Sequence, residues 1–248
     1  MITSQNNKKT HLYISEENDP FYNLAFEEHL AKNVFPKTKV PIIFLWRNQK
    51  TIVVGKNQVA DLEINVEVAK KDGVKIVKRL SGGGTVFHDL GNFCFTFIVE
   101  NKKQAGNYKV FLEPVIAFLK SYQIDAQLVG KNDLKIDDVK ISGNAQYLSN
   151  DVLVHHGTLL FDTDLSLINK YLKINQLKTN TKIQRSQISK INNIKNFLNK
   201  EIPIEEFFKS FIIFFKNYSK IDFLELIDKK IILDLAKNKY QIESWTFS

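Results

Sequence analysis

Three consecutive glycines, Gly82, Gly83 and Gly84, follow Arg79 and precede an apolar stretch, and this arrangement limits how the chain can fold there. Glycine admits positive φ values and leaves neighbouring N–H groups uncovered, so the backbone can approach a ligand closely. N–H groups that point into a concavity bind anions, and Arg79 adds a fixed positive charge. Residues 93–99 predict a strand, which would give the glycines a rigid scaffold. We therefore predict a phosphate or carboxylate cradle, with a plain turn as the alternative.

Composition and patterning exclude several broad classes of protein. The 248 residues, 44% of them hydrophobic, suffice for one large core. No apolar run approaches the roughly 20 residues that span a bilayer, and the polar start over residues 1–9 lacks a signal-peptide core. The glycines fit neither a P-loop nor a dinucleotide-binding fingerprint. Since Cys94 is the single cysteine, no internal disulfide can form, and we expect a cytoplasmic protein.

The net charge of +8 is concentrated in one segment, residues 165–200, which contains no Asp or Glu. Its basic residues are Lys170, Lys173, Lys178, Lys182, Arg185, Lys190, Lys195 and Lys200. Such a block can attract an acidic partner or a nucleic acid, or can simply be a solvated surface. Only Tyr171 and Phe197 interleave with the charges, so a base-stacking surface is disfavoured.

Periodicity predicts an α+β fold. Asp19 and Pro20 are typical of a helix start, and the apolar spacing that follows leaves Glu27 and Glu28 on the outer side. Strands are expected at 42–46, 51–54, 74–77 and 93–99, and hairpin-like alternation at 131–143 and 152–161. Helices are expected at 59–72, at 108–122, from residue 204 and around 228–240. Strands thus dominate 40–162 and helices the remainder.

A second group of polar residues surrounds Lys140, between residues 130 and 145. Lys140 precedes the small run 142–145, so its ammonium could enter a cleft and offset negative charge that develops in carboxylate or phosphoryl chemistry. An outward lysine on an amphipathic strand is the alternative. Asn132 and Asp133 supply oxygen ligands suited to Mg²⁺ near phosphates, or form a turn.

The histidines and the cysteine give weaker signals. His88 closes the glycine segment and could reach the same ligand, whereas on a strand only one of His155 and His156 can face inward. A zinc site is disfavoured, because clustered cysteines and a His-Glu-x-x-His run are both missing from the sequence. Cys94 lies among phenylalanines and is interpreted as a small buried hydrophobe.

These segments, in this order, resemble the lipoate–protein ligase family, within the biotin/lipoate protein ligase superfamily. The resemblance covers roughly residues 12–190 and continues weakly to the end. The matching segments are 19–28, 45–48, 53–58, 79–92, 132–134, 140–145 and 155–160. It implies a biotin/lipoyl ligase-like catalytic domain over 1–248, built of mixed β-sheets flanked by helices, with a core at about 10–190 and a helical part at about 191–248. In contrast to the family pattern, the small C-terminal domain is expected to be lacking.

The resemblance implies a two-step reaction in which ATP, with Mg²⁺, and lipoate form lipoyl-AMP. The lipoyl group then passes to a lysine of an acceptor domain, in 2-oxoacid dehydrogenase acyltransferase subunits or the glycine-cleavage H protein. Lys140 is the implied catalytic residue, and Asp133 the implied magnesium ligand. The implied ATP contacts are Arg79, Gly84, Thr85, Val86, Phe87 and Lys140. The implied lipoate contacts are Lys140, Arg79, Gly82, Gly83 and His88.

Two departures from the family pattern keep alternatives open. Lys56 and Leu80 stand where the family often has Arg and a small polar residue. The missing small domain, which chiefly supports adenylation in the family, leaves open a transferase that needs an accessory domain or preformed lipoyl-AMP. Further alternatives are an octanoyltransferase, a biotin–protein ligase and a non-catalytic nucleic-acid-binding module.

Overall fold

The computed structural model describes residues 9–173, 190–218, 220–222 and 227–248. Its strands are β1 (Lys9–Ile14), β2 (Ile42–Arg47), β3 (Thr51–Val54), β4 (Lys75–Lys78), β5 (Val86–His88), β6 (Asn92–Glu100), β7 (Gln127–Val129), β8 (Asp133–Ile136), β9 (Val139–Ser149), β10 (Val152–Leu160) and β11 (Lys220–Asp222). Its α-helices are α1 (Pro20–His29), α2 (Phe35–Thr38), α3 (Ala60–Glu63), α4 (Val66–Lys71), α5 (Lys109–Ser121), α6 (Leu165–Tyr171), α7 (Ile204–Tyr218), α8 (Lys229–Leu235) and α9 (Glu243–Thr246). The mixed α+β architecture is the predicted one.

Two sheets organise the described part of the chain. The larger has eight strands in the order β11-β1-β2-β6-β10-β9-β8-β7, and the smaller has three in the order β4-β3-β5. In the larger sheet β1 pairs in parallel with β11 and β2, and the other neighbours are antiparallel. Strands β2 and β3 are therefore consecutive in sequence but belong to different sheets.

The large sheet is covered on both faces, and β6 shows how the sequence achieves this. Phe93, Phe95 and Phe97 point to one face, where they pack with α5 and α7. Cys94 and Ile98 point to the other face, where they pack with α1, α8 and the small sheet. Because side chains alternate along a strand, one apolar strand supplies two separate cores.

Helix α1 begins as predicted but is buried more completely than its amphipathic pattern indicates. Asp19 caps it, its Oδ1 accepting from the backbone N–H groups of Phe21 at 2.8 Å and Tyr22 at 3.1 Å. The prediction that Glu27 and Glu28 face outward is wrong, since their exposed fractions are 2% and 5%. α8 and the segment after it pack over this side of the helix.

Glu28 is buried with its charge compensated. Its carboxylate accepts hydrogen bonds from Lys32, Lys239 and Tyr240. Burial alone would raise the pKa of Glu28, but these donors bring the pKa below its usual value. The C-terminal part of the chain is thereby fastened to α1.

The helix expected over 59–72 is interrupted. Two short helices, α3 and α4, flank Ile64, which is extended and forms a β-bridge with Leu172. The tertiary pairing overrides the helical pattern here, because the backbone groups on either side of Ile64 pair with another segment. Asn65 N–H donates to Tyr171 O at 2.8 Å, and Lys173 N–H donates to Glu63 O at 2.8 Å. Among the described residues, the model contains no helix both long and apolar enough to cross a membrane.

The basic segment 165–200 is partly neutralised by acidic residues from elsewhere in the chain. Lys170, Lys190 and Lys195 form ion pairs with Asp72, Asp138 and Asp162. Lys178, Lys182 and Arg185 lie outside the described residues. Recruitment of an acidic partner by this segment stays a prediction.

The packing of α7 generates a stability prediction. Phe211 is fully buried against Phe93, Phe95 and Phe118, whereas Ile213 on the same helix is 47% exposed. We expect Phe211→Ala to lower the free energy of unfolding by about 3–5 kcal/mol, because a cavity remains. Ile213→Ala, the matched control, should lower it by less than about 0.5 kcal/mol. Equal losses in urea unfolding would contradict this packing.

Candidate active site

A pocket of about 360 Å³ opens between the two sheets, beside α1. Its lining combines apolar and aromatic residues with polar residues and glycines. The apolar and aromatic lining residues are Leu24, Trp46, Val53, Val86, Cys94 and Ala145. The other lining residues are Arg79, Gly83, Gly84, Thr85, His88, Asn132, Asp133, Lys140, Gly143, Asn144, His156, Gly157 and Thr158. Such a lining can hold a molecule with an apolar chain and an anionic end.

Most residues that sequence reasoning proposed for ligand binding meet in this pocket. Those that line it are Arg79, Gly83, Gly84, Thr85, Val86, His88, Asp133 and Lys140. Gly82 and Phe87 are absent from the lining. Phe87 points the opposite way from its neighbours on β5 and packs 5.7 Å from Tyr171 between ring centroids. Only its backbone could therefore reach a ligand in the pocket.

The side chain of Arg79 lies inside the glycine loop. Its guanidinium donates to the carbonyl oxygens of Val53 at 3.1 Å, Gly82 at 2.7 Å and Gly84 at 2.8 Å, and its Nε donates to Ser81 Oγ at 2.9 Å. Burial lowers the pKa of Arg79 to about 10, so the side chain stays positive at neutral pH. It both shapes the loop and leaves a positive charge beside the pocket.

Glycine is required at two points of this loop. Gly83 has a φ of +95°, and a Cβ there would lie 2.9 Å from a terminal nitrogen of Arg79. A Cβ on Gly55 would clash with the carbonyl oxygen of Gly83. The glycine loop is therefore pressed between Arg79 and the strand end at Gly55.

Lys140 faces the pocket, so the outward alternative is wrong. Its ammonium lies 2.8 Å from Asp133 Oδ1, and a Cβ on Gly143 would meet its Cε and Nζ at 3.2 Å. The small residue at 143 thus leaves room for the lysine side chain to fold over the strand. Asn132 and Asn144 hold together the two segments that carry Asp133 and Lys140. Each side-chain amide donates to the other residue's backbone carbonyl, at 2.6 and 2.9 Å.

The described residues contain no group of three His, Cys, Asp or Glu side chains able to hold a metal ion. Asp133 is a single carboxylate beside the pocket, and its Oδ1 is engaged by Lys140. Mg²⁺ commonly takes one or two carboxylates together with substrate phosphates and waters. The residues present therefore fit this ion only where a bound phosphate group supplies further oxygen ligands.

His88 and Cys94 form a buried polar corner of the pocket. His88 Nδ1 lies 3.3 Å from Asn48 Nδ2, and its Nε2 has no hydrogen-bond partner within the described part of the chain. Burial, with the nearby charges of Arg79 and His156, lowers the pKa of His88 to about 3. Burial raises the pKa of the Cys94 thiol well above its usual value. At neutral pH His88 is a neutral imidazole, suited to a hydrogen bond with a ligand.

The structure adds a group that sequence reasoning missed, formed by Glu27, Ser81 and His156. His156 lies 2.9 Å from Glu27 Oε1 through Nδ1 and 2.6 Å from Ser81 Oγ through Nε2. Its neighbour His155 points to the opposite face of β10 and stacks 4.8 Å from Phe111 between ring centroids. Both histidines are buried because both faces of the sheet are covered. Side chains alternate along a strand, so His156 lies on the same face of β10 as Val154 and Thr158. This alternation is the sequence signal that could have separated His156 from His155.

The close approach at Gly83 generates a prediction with a matched control. Gly83→Ala should lower the free energy of unfolding more than Gly106→Ala does, by about 1–3 kcal/mol, because only the former also displaces Arg79. Gly106 has a similar φ of +85° with no atom within 4 Å of an added Cβ. Urea unfolding of the two variants measures the difference. Equal losses would show that Arg79 does not press on the loop.

The buried His88 generates a prediction about pH. Because its folded pKa is below the unfolded value of about 6.5, the stability it contributes is present above pH 6.5 and is lost as pH falls toward 3. We expect the NMR shift of its imidazole Cε1–H to stay constant between pH 8 and pH 5. A titration with a midpoint near 6.5 would place His88 in solvent and contradict its buried position.

The chain matches the family model described as the lipoyl protein ligase A/B catalytic domain over residues 19–216. It is 37% identical to the probable lipoate-protein ligase A of Mycoplasma pneumoniae, across 96% of this chain and 71% of that protein. It is 36% identical to the Bacillus subtilis lipoate-protein ligase LplJ, across 95% of this chain and 73% of that protein.

A solved structure from Thermoplasma acidophilum, described as a bi-partite lipoate protein ligase with its E2 lipoyl domain, has the same fold. It superposes with a TM-score of 0.77 at 26% identity, covering 97% of this chain and 96% of that chain. The chain belongs to the lipoyl protein ligase A/B catalytic domain family.

Proposed function

We propose that this chain is an ATP-dependent lipoate–protein ligase, which activates lipoate as lipoyl-AMP and transfers the lipoyl group to a lysine of an acceptor domain. The observation that carries the proposal is the convergence of Lys140 and the Arg79 glycine loop on one pocket. Relatives at 36–37% identity are named lipoate-protein ligases, which favours lipoate as the acid that is activated.

The two kinds of lining residue suit the two substrates. Leu24, Trp46 and Val86 offer an apolar surface for the acyl chain. We assign nucleotide contacts to Arg79, Lys140, Gly84, Thr85, Val86 and Phe87, the last through its backbone. We assign lipoate contacts to Lys140, Arg79, Gly82, Gly83 and His88.

The first step makes a poor electrophile reactive. A carboxylate oxygen of lipoate attacks the α-phosphorus of ATP, the bond from that phosphorus to the bridging oxygen breaks, and pyrophosphate leaves. Lys140, held by Asp133 over Gly143, offsets the negative charge shared by the carboxylate and the α-phosphate. Because the lysine is already oriented, little reorganisation accompanies the reaction.

The second step consumes the mixed anhydride. The neutral amine of the acceptor lysine attacks the acyl carbon, the bond to the phosphate oxygen breaks, AMP leaves and the amine loses a proton to solvent. Lys140 again offsets the charge that returns to the phosphate. The half-open position of Lys140, with 24% of its side chain exposed, leaves an approach for the acceptor.

Asp133 would hold Mg²⁺ together with oxygens of the ATP phosphates, and the ion would supply neutralisation of phosphate charge. The carboxylate lies beside the pocket next to Asn132, where such a ligand set can form. Lys140 is its partner in the structure, so the ion and the ammonium would share one carboxylate.

We further propose that residues 1–248 act as one catalytic domain in the cytoplasm and recognise lipoyl-acceptor domains. The α7 region belongs to the same core as the large sheet, which supports one domain. The chain spans 71–73% of the two named relatives. The bi-partite ligase of T. acidophilum supports the alternative that this chain performs the transfer step and needs a separate accessory domain for activation.

The test is lipoylation of an acceptor domain, followed by mass spectrometry, with either ATP plus lipoate or preformed lipoyl-AMP as donor. We expect modification from both donors and a loss of at least about 100-fold in Lys140→Ala, because a preorganised charge is removed. Lys120→Ala, an exposed lysine at the end of α5, is the matched control. Modification from lipoyl-AMP alone would favour the transferase, and none from either donor would refute the enzyme assignment.

A further inference from the structure

A chain of hydrogen bonds runs from the buried helix α1 to Arg79. Glu27 Oε1 lies 2.9 Å from His156 Nδ1, His156 Nε2 lies 2.6 Å from Ser81 Oγ, and Ser81 Oγ accepts from Arg79 Nε at 2.9 Å. These hydrogen bonds join α1, β10 and the glycine loop, which are distant in sequence.

All four residues that these hydrogen bonds connect are buried. Ser81 is 0% exposed, Glu27 2%, Arg79 7% and His156 8%. A buried charge or donor is costly unless it is paired. Glu27 and Arg79 carry opposite charges at the two ends, and the neutral hydroxyl and the imidazole connect them.

The direction of each hydrogen bond follows from the donors available. Glu27 Oε1 also accepts from Thr96 Oγ1 at 2.7 Å, so the carboxylate acts as acceptor and His156 Nδ1 donates to it. In the tautomer that carries its proton on Nδ1 alone, His156 accepts the Ser81 hydroxyl proton at Nε2. The Ser81 oxygen is then oriented with a lone pair toward Arg79 Nε.

The same three residue types form the Ser–His–acid group of hydrolases, but Ser81 is placed differently from a nucleophile. It is fully buried, is absent from the pocket lining and already accepts a hydrogen bond from Arg79. A nucleophilic oxygen must instead reach the reacting carbon. The geometry favours a supporting role.

We propose that Glu27, His156 and Ser81 are positioning residues that fix the Arg79 guanidinium for the nucleotide. This inference rests on the proposed function, in which Arg79 contacts ATP. Two of the other Arg79 donors bind loop carbonyls that would move with the loop, and a third binds Val53 O on β3 at 3.1 Å. The Ser81 hydrogen bond ties the side chain to the large sheet through His156. Removing the connection leaves the buried Nε without its acceptor.

A double-mutant cycle tests whether Ser81 acts through Arg79. The affinity for ATP is measured by calorimetry in the presence of Mg²⁺ and in the absence of lipoate. Ser81→Ala should weaken ATP binding about tenfold, since a hydrogen bond to a charged group is lost. In the Arg79→Lys background, which lacks the Nε donor, the same change should weaken binding less than about twofold. Equal effects in both backgrounds would overturn the proposal.

Two substitutions of Glu27, at the other end of this hydrogen-bonded group, distinguish a positioning role from a general loss of structure. Glu27→Gln keeps the carbonyl acceptor for His156, so ATP affinity should stay within about threefold of the unchanged protein. Glu27→Leu removes the acceptor and should weaken ATP binding about as much as Ser81→Ala. Equal affinities for the two variants would contradict a role through His156.

Controls keep this test distinct from the test of function. Ser121→Ala removes a hydroxyl that donates to Phe118 O at the end of α5, and ATP affinity should not change. Thermal unfolding confirms that each variant is folded.

If the unchanged protein binds no ATP, the proposed function fails. If it binds ATP and the cycle is additive, only the positioning role fails. A lipoyl adduct on Ser81, seen by mass spectrometry, would also overturn the role.

Discussion

The hydrogen bonds of Arg79 to the carbonyl oxygens of Val53, Gly82 and Gly84 hold the glycine loop in the shape on which the pocket depends. A guanidinium offers donors in a rigid plane, and here they bind one strand end and two points of the loop. The loop can close this tightly because Gly83 adopts a positive φ beside Arg79. One buried cation therefore sets the loop shape and places a positive charge beside the pocket.

The large sheet is covered on both faces, and its strands β9 and β10 place the other polar pocket residues opposite this loop. Alternation along β10 sends His155 into the aromatic core and His156 toward the pocket, and Lys140 projects from β9 beside them. The small sheet brings Val86 and His88 to the other wall. Antiparallel pairing of β9 with β10 thus brings residues from two separated motifs to one pocket.

Local patterns predicted most elements, while the site needed information that single segments do not contain. Strands such as β6 and helices such as α7 follow from apolar periodicity, and Lys140 and Arg79 follow from the family resemblance. Glu27 was misplaced because a carboxylate on an amphipathic helix usually faces water, and its partners lie on distant strands. Period-two alternation on β5 separates Phe87 from Val86 and His88, so its core position was predictable.

The central claim is that one pocket holds the lipoyl chain and the adenylate together. Calorimetric titration of preformed lipoyl-AMP, with competition by AMP and by lipoate, tests it most directly. We expect lipoyl-AMP to bind more tightly than either part alone, and each part to compete with it, because it makes the contacts of both parts in one pocket. Binding of lipoyl-AMP that neither AMP nor lipoate reduces, or no binding at all, would contradict the account.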